Sequence, residues 1–289
     1  MSMHPASDLA ASRAGMRWLG LPSLLFGGLI TTALLACALL SLVWTPYPPG
    51  EQNFHLREAP PSAQHWLGTD SYGHDIFSQL MVGAQSSVLV GVTAVAIGLL
   101  FGVSLGLLAA LRKGWVEEAI MRLTDLSFAF PTILAAIMLR AAYGAGLATS
   151  IAAIGIASIP IFARITRASA NVLWQRDFVT AARACGKGPW AITREHILPN
   201  LLSILIVQAT IQFAIAILAE AALSYLGLGT QYPTPSWGRM LSEAQSKLFD
   251  APMLAVYPGL AIALAVMGLN LLGDGLRDRL DPRLMGSAR

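Results

Sequence analysis

The sequence predicts an all-α, polytopic membrane protein with six transmembrane helices, both termini cytoplasmic, and a short cytoplasmic helix between two of the spans. Three observations lead there. Of 289 residues, 55% are hydrophobic and only 12% charged, about half the charge of an ordinary soluble domain, and mean hydropathy is +0.60. Five stretches carry no Asp, Glu, Lys, Arg or His and are long enough to cross about 30 Å of hydrocarbon as helix; they are 18–50, 76–111, 141–163, 197–219 and 251–273. The 19 Lys and Arg residues divide unevenly between the loops on alternate sides. The composition excludes a disordered chain and argues against a soluble fold.

The sixth span rests on the third observation. Residues 126–139 form an apolar run of only 14, closed by Asp125 and Arg140. By length alone this is a re-entrant or interfacial segment; it spans if the Arg140 head reaches water. With it counted, 15 basic residues fall on one side and 4 on the other, the asymmetry expected of cytoplasmic loops. Without it, the cluster Arg164, Arg167, Arg176, Arg183, Lys187 and Arg194 lands outside. The pI near 9.1 then reflects topology and anionic lipid rather than nucleic acid, and no basic stripe with interleaved stacking aromatics is present.

The predicted organisation follows. Residues 1–21 form a cytoplasmic segment and 22–44 the first span, uncleaved because the apolar run is too long for a signal peptide and lacks an A-x-A site. An extracytoplasmic loop covers 45–81, five further helices fill 82–276, and 277–289 is a cytoplasmic tail. In the first outer loop Pro46, Pro48 and Pro49 stop the helix. Thr69, Asp70 and Ser71 are good helix caps, and Gly73 permits a turn before the second span. The outer loop 227–250, with Pro233, Pro235, Trp237 and Gly238, is rigid and aromatic, suited to cover a vestibule.

The inner loop 164–199 is the most informative. From Trp174 to Cys185, Trp174, Phe178, Ala181, Ala182 and Cys185 fall at i, i+4, i+7, i+8 and i+11, one stripe at helical period, with Arg176, Asp177, Thr180 and Arg183 off it. Gly186 and Gly188-Pro189 end this helix, near 174–188. Three readings stand side by side: a helix lying on anionic lipid, a loop helix closing the bundle, or a helix whose small residues enter a groove on a cytoplasmic partner.

No catalytic, cofactor-binding or metal-ligating constellation is visible. Gly186-Lys187 is followed by Gly188, so the phosphate-cradling G-x-x-x-x-G-K-[ST] pattern is absent. H-E-x-x-H and G-x-S-x-G are absent too. The five histidines lack ligand spacing, and Cys37 and Cys185 lie in segments that do not meet. Glu220 and Asp274 stand at span ends, so no mid-membrane carboxylate offers a coupling-ion site. Glu220 and Arg140 either line a pathway or meet a polar partner, on this chain or a neighbouring subunit. The chain reads as non-enzymatic, with energy supplied from outside it. A self-sufficient secondary carrier or channel is the alternative.

Thr180-Ala181-Ala182, Gly186 and Ile197-Leu198-Pro199 together resemble the E-A-A…G…I-x-L-P motif of ABC importer permeases, with Thr180 in place of the usual Glu. Residues 67–75, 220–229, 270–278 and 281–283 resemble the C-type permease of the dipeptide, oligopeptide and nickel group; His74 stands where Arg is usual, implying a more pH-sensitive outer loop. The resemblance covers about 20–285. It implies that Phe178, Thr180, Ala181, Ala182, Arg183, Gly186, Leu198 and Pro199 couple to ATPase subunits. It also implies a homologous second permease, two ATP-binding subunits that hold ATP and magnesium, and an extracytoplasmic binding protein. The implied setting is the bacterial inner membrane, with peptides as cargo ahead of nickel or another small solute. On that basis a bulky charged residue at Ala182 or Gly186 is expected to abolish transport and leave insertion intact.

Overall fold

The computed structural model describes residues 6–280, with side chains from 22 onward. Asp281, Pro282 and Arg283, and the tail beyond them, lie outside the described residues. Among the described residues, five helices are long and apolar enough to cross a membrane: α1 (Ala6–Leu40, apolar from Pro22), α2 (Ile76–Arg112), α5 (Leu147–Leu173), α7 (Pro189–Tyr225) and α9 (Met253–Leu280). Between α2 and α5 lie α3 (Trp115–Ala129) and α4 (Thr132–Tyr143), bent by 85° at Phe130-Pro131. The run 126–139 is therefore not one straight helix. Pro131 donates no amide hydrogen and pushes Phe130 into extended conformation, at φ −93° and ψ 113°. Counted as one passage, the bent pair brings the spans to six. Among the described residues two short α-helices, α6 (Asp177–Ala184) and α8 (Trp237–Ala244), and two 3-10 turns, Phe54–Leu56 and Gln245–Lys247, complete the set. No strand occurs among the described residues.

Apolar helices in lipid gain little from burying more apolar surface against each other, so small residues that admit close approach decide which faces meet. Gly98, Gly102 and Gly106 fall every four residues on α2 and face α5. A Cβ on Gly102 would sit 2.5 Å from the Ile159 carbonyl, and one on Gly106 2.5 Å from that of Ala163. The α2 backbone passes into a π-helical stretch at Gly98–Val103 along this contact. The first and last spans close through Gly27 and Gly268, where a Cβ would approach Leu272 N to 2.3 Å and the Ile30 side chain to 2.5 Å. Large apolar side chains such as Phe26, Leu29, Leu100 and Leu264 remain exposed on the spans, as a lipid- or partner-facing surface requires.

The spans extend past their apolar runs. α5 continues through Arg164 and Arg167, which pair with Asp125 and Glu117 of α3, each at 2.6 Å, and strap the bent pair to the bundle. α7 begins eight residues before its apolar run, at Pro189. A π-helical turn, Thr193–Ile197, in which Leu198 N–H donates to the Thr193 carbonyl, precedes Pro199. Connectivity puts α6 at one end of the bundle. The loops 41–75 and 226–252, with α8, lie at the other.

A candidate coupling helix and the loop layer opposite it

α6 ends in a complete Schellman arrangement. Gly186 N–H donates to the Arg183 carbonyl at 2.9 Å and Lys187 N–H to that of Ala182 at 3.1 Å, with Gly186 at φ +80°. A Cβ on Gly186 would meet nothing within 4 Å, so the backbone angle, not space, selects glycine. Gly186→Ala is expected to cost about 1 kcal/mol, read as a lowered unfolding temperature without loss of insertion. Pro189 then opens α7 as its first residue.

The helix presents two faces, and the division corrects the stripe read from sequence. Val179 and Ala182 are buried and join one apolar cluster with Phe162, Ile192, Ile197 and Leu201. Phe178, Ala181 and Cys185, one face at i, i+3 and i+7, are exposed, as are Thr180, Arg183 and Gly186. Of the five expected stripe residues only Ala182 is buried, with Trp174 half-buried beneath the Arg183 guanidinium 5.3 Å from its ring. Val179 and Ala182, three residues apart, form the inward face on the shared cluster, while the larger Phe178 stays 39% exposed, so size alone does not decide the facing. Leu198 is half-buried and Pro199 exposed at the root of α7. Lys187 pairs with Glu195 and lies 3.3 Å from His196, tying the end of α6 to α7. One face of the helix is thus fixed to three spans through their shared core, and the other is uncovered.

At the opposite end, Glu220 and Arg140 both grip one turn. Glu220 is fully buried; its Oε1 accepts from Ser224 Oγ at 2.7 Å and Thr230 Oγ1 at 3.4 Å. Ser224 Oγ accepts in turn from the Thr230 amide at 3.0 Å. Arg140, exposed on α4, donates to the Gly227 carbonyl at 2.6 Å. The two side chains approach the 226–231 turn from α7 and α4, and Glu220 lies inside the helix rather than at its end. Trp237, the start of α8, donates from Nε1 to the Leu80 carbonyl at 3.0 Å. Gly83 leaves the room for its ring, since a Cβ there would lie 2.4 Å from it.

The first outer loop is folded around two aspartates. The cap of α2 is Asp75, which accepts from Ser78 N and Oγ at 2.8 Å and lies 3.0 Å from His65 Nδ1. The expected caps Thr69, Asp70 and Ser71 do other work. Thr69 Oγ1 bonds to Leu56 and Ala59. Asp70 accepts from the amides of Tyr72 and His74 and from Gln79 Nε2, with His74 Nδ1 at 2.8 Å. Gly73, at φ +82°, turns the chain so tightly that a Cβ would meet Asn53 O at 1.9 Å. Burial raises the Asp70 carboxyl, but the hydrogen bonds from His74 and Tyr72 outweigh it and leave it below the usual carboxylate value. A depressed carboxyl contributes stability above its unfolded value, about 3.9, and loses it as pH falls through the lower folded value. The loop is therefore expected to keep this contribution from pH 5 to 8 and lose it below about pH 4. Trp66 fluorescence during acid titration reads the change, and Asp70→Asn should remove that part of it.

Comparison with known proteins agrees with this architecture. The family described as binding-protein-dependent transport system inner membrane component matches residues 102–286. The glutathione transport system permease protein GsiD of Pectobacterium atrosepticum is 45% identical over 260 residues, covering 89% of this chain and 86% of the relative. The dipeptide transport system permease protein DppC of Alkalihalophilus pseudofirmus is 43% identical over 258 residues, covering 89% and 85%. Among solved structures, the MetNI methionine ABC transporter in an inward facing conformation aligns with TM-score 0.60 at 17% identity, over 70% of this chain and 96% of that one; it speaks to the fold alone. This chain therefore belongs to the inner membrane components of binding-protein-dependent transport systems, as a multi-pass, non-catalytic permease subunit of an ABC importer that works with other transporter subunits.

Proposed function

We propose that this chain forms half of the translocation pathway of an ATP-driven importer of short peptides in a bacterial cytoplasmic membrane. A homologous second permease supplies the other half. Two ATP-binding subunits hold ATP and magnesium, and an extracytoplasmic binding protein delivers cargo. Two relatives named for glutathione and dipeptide transport, both short peptides, support the cargo class. The division of 15 basic residues against 4 supports cytoplasmic termini and puts α6 on the cytoplasmic side.

The observation that carries the proposal is the two-faced α6. Its uncovered Phe178–Ala181–Cys185 face, flanked by Thr180, Arg183 and Gly186, is suited to a groove on an ATP-binding subunit. Its Val179–Ala182 face is packed on α2, α5 and α7, so a displacement of the helix moves the spans with it. Leu198 packs against the same cluster, between Ile197 and Leu201, and Pro199 is exposed next to it. Thr180 brings a hydroxyl where related permeases carry a carboxylate, and docking proceeds with one charge fewer.

Cys185 supplies the test. It is exposed, while Cys37 is half-buried in α1. In purified permease pairs Cys185 is expected to react readily with a maleimide, and assembly with the ATP-binding subunits should slow it at least tenfold. An unchanged rate after assembly would remove α6 as the docking element.

A further inference from the structure

The loop layer opposite α6 holds a cavity of about 670 Å³ between the first outer loop and the α8 segment, within the size range of sites that enclose small organic ligands. Its lining includes Arg57, Glu58, Tyr72, Glu243 and Lys247. Glu58 Oε1 meets Lys247 Nζ at 2.8 Å across the two loops and also accepts from Ser71 Oγ at 3.1 Å. Glu58 holds φ +52°, a conformation that non-glycine residues rarely adopt, fixed by its amide donating to the Asp70 carbonyl at 3.0 Å. Glu243 pairs with Arg239 at 2.7 Å. Arg57 differs from these. Its guanidinium lies 4.4 Å from the Phe54 ring centre, and it forms no ion pair among the described residues.

We infer that this cavity is a subsite for a short zwitterionic peptide, with Arg57 taking the terminal carboxylate. The inference rests on the peptide-importer reading and adds where cargo is held before it enters the membrane pathway. Arg57 offers a planar fork of donors that fits a carboxylate bidentately, already oriented by the Phe54 ring. Glu58 and Glu243, whose Oε1 atoms are engaged by Lys247 and Arg239, present their second carboxylate oxygens to the peptide ammonium, and the half-exposed Tyr72 ring offers a surface for its apolar part. A tripeptide is roughly 10 Å long when extended, a length such a cavity accommodates. The Glu58–Lys247 pair bridges the two loops that form the walls.

The assembled transporter in nanodiscs, without its binding protein, is titrated with trialanine and with trialaninamide by saturation-transfer NMR. Trialanine is expected to bind about tenfold more tightly than the amide, the size of one charge-assisted hydrogen bond. Arg57→Gln should weaken trialanine about tenfold and leave the amide unchanged; Arg57→Lys should retain part of the difference. Arg57 is exposed and unpaired, so neither variant threatens folding. The subsite is overturned if Arg57→Gln leaves trialanine binding unaltered, weakens acid and amide equally, or lowers affinity for the binding protein alone. A wild-type transporter that imports no trialanine even with its binding protein overturns the peptide reading itself. Import with Arg57-independent binding overturns only the subsite.

Discussion

Ala181→Arg is expected to abolish ATP-coupled transport while leaving insertion and thermal stability unchanged. The residue is exposed among the described residues. A guanidinium forced into a docking groove becomes an unpaired, desolvated charge costing several kcal/mol, which lowers the occupancy of the assembled state by about a hundredfold or more. ATP hydrolysis stimulated by loaded binding protein should fall with it, and the purified permease should keep its unfolding temperature. Ala182, an expected docking position from sequence, is a poorer probe. It is 8% exposed and packs in the cluster around Ile192 and Ile197. Ala182→Arg would injure the bundle and the interface together, so its failure to transport would not separate them.

Gly102→Leu is expected to prevent the bundle from assembling. A Cβ alone comes within 2.5 Å of a backbone carbonyl and 2.6 Å of the Phe162 Cβ, so α2 and α5 must move apart. That separation also releases the contacts at Gly98 and Gly106. Overpacking of this kind costs about 3 kcal/mol or more when backbone rather than a flexible side chain obstructs it. The yield of monodisperse protein in mild detergent should collapse. Gly259→Leu is the matched control, because a Cβ there meets nothing within 4 Å; it should behave as wild type.

The long spans were legible because hydrocarbon thickness demands uninterrupted apolar runs, and each of the five predicted runs falls mostly on a long helix, although 18–50 outlasts α1 at Leu40 and 141–163 begins on α4. Their true ends were less so: Arg164 and Arg167 extend α5 by pairing with α3, a tertiary contact that hydropathy does not register. Pro131 announced the break in the bent pair, but the charge rule asks only that the chain cross and is silent on straightness. The end of α6 at Gly186 was readable from turn chemistry. Its facing was not, because the stripe drawn at helical period through Trp174, Phe178, Ala181, Ala182 and Cys185 passed over Val179, and which apolar face turns inward is set by the spans it packs on.

The glycine face of α2 was present in the sequence as Gly98, Gly102 and Gly106 at four-residue spacing, a pattern known to bring membrane helices close, and was missed among 26 glycines. Asp75 as the cap of α2 was missed for a different reason. Four candidate capping residues occur between 69 and 75, and only the turn at Gly73 decides which of them reaches the helix amides. Arg57 carried no signal of its own until the fold put it in the lining of one cavity with Tyr72 and Glu243.

The central claim is that this chain is a pathway driven through α6 by ATP hydrolysed elsewhere. Reconstitution into proteoliposomes, with the second permease and the binding protein present throughout, tests it most directly. Peptide uptake should require both the ATP-binding subunits and ATP, and an imposed proton or sodium gradient should not replace them. Uptake driven by a gradient in vesicles lacking the ATP-binding subunits would contradict the account.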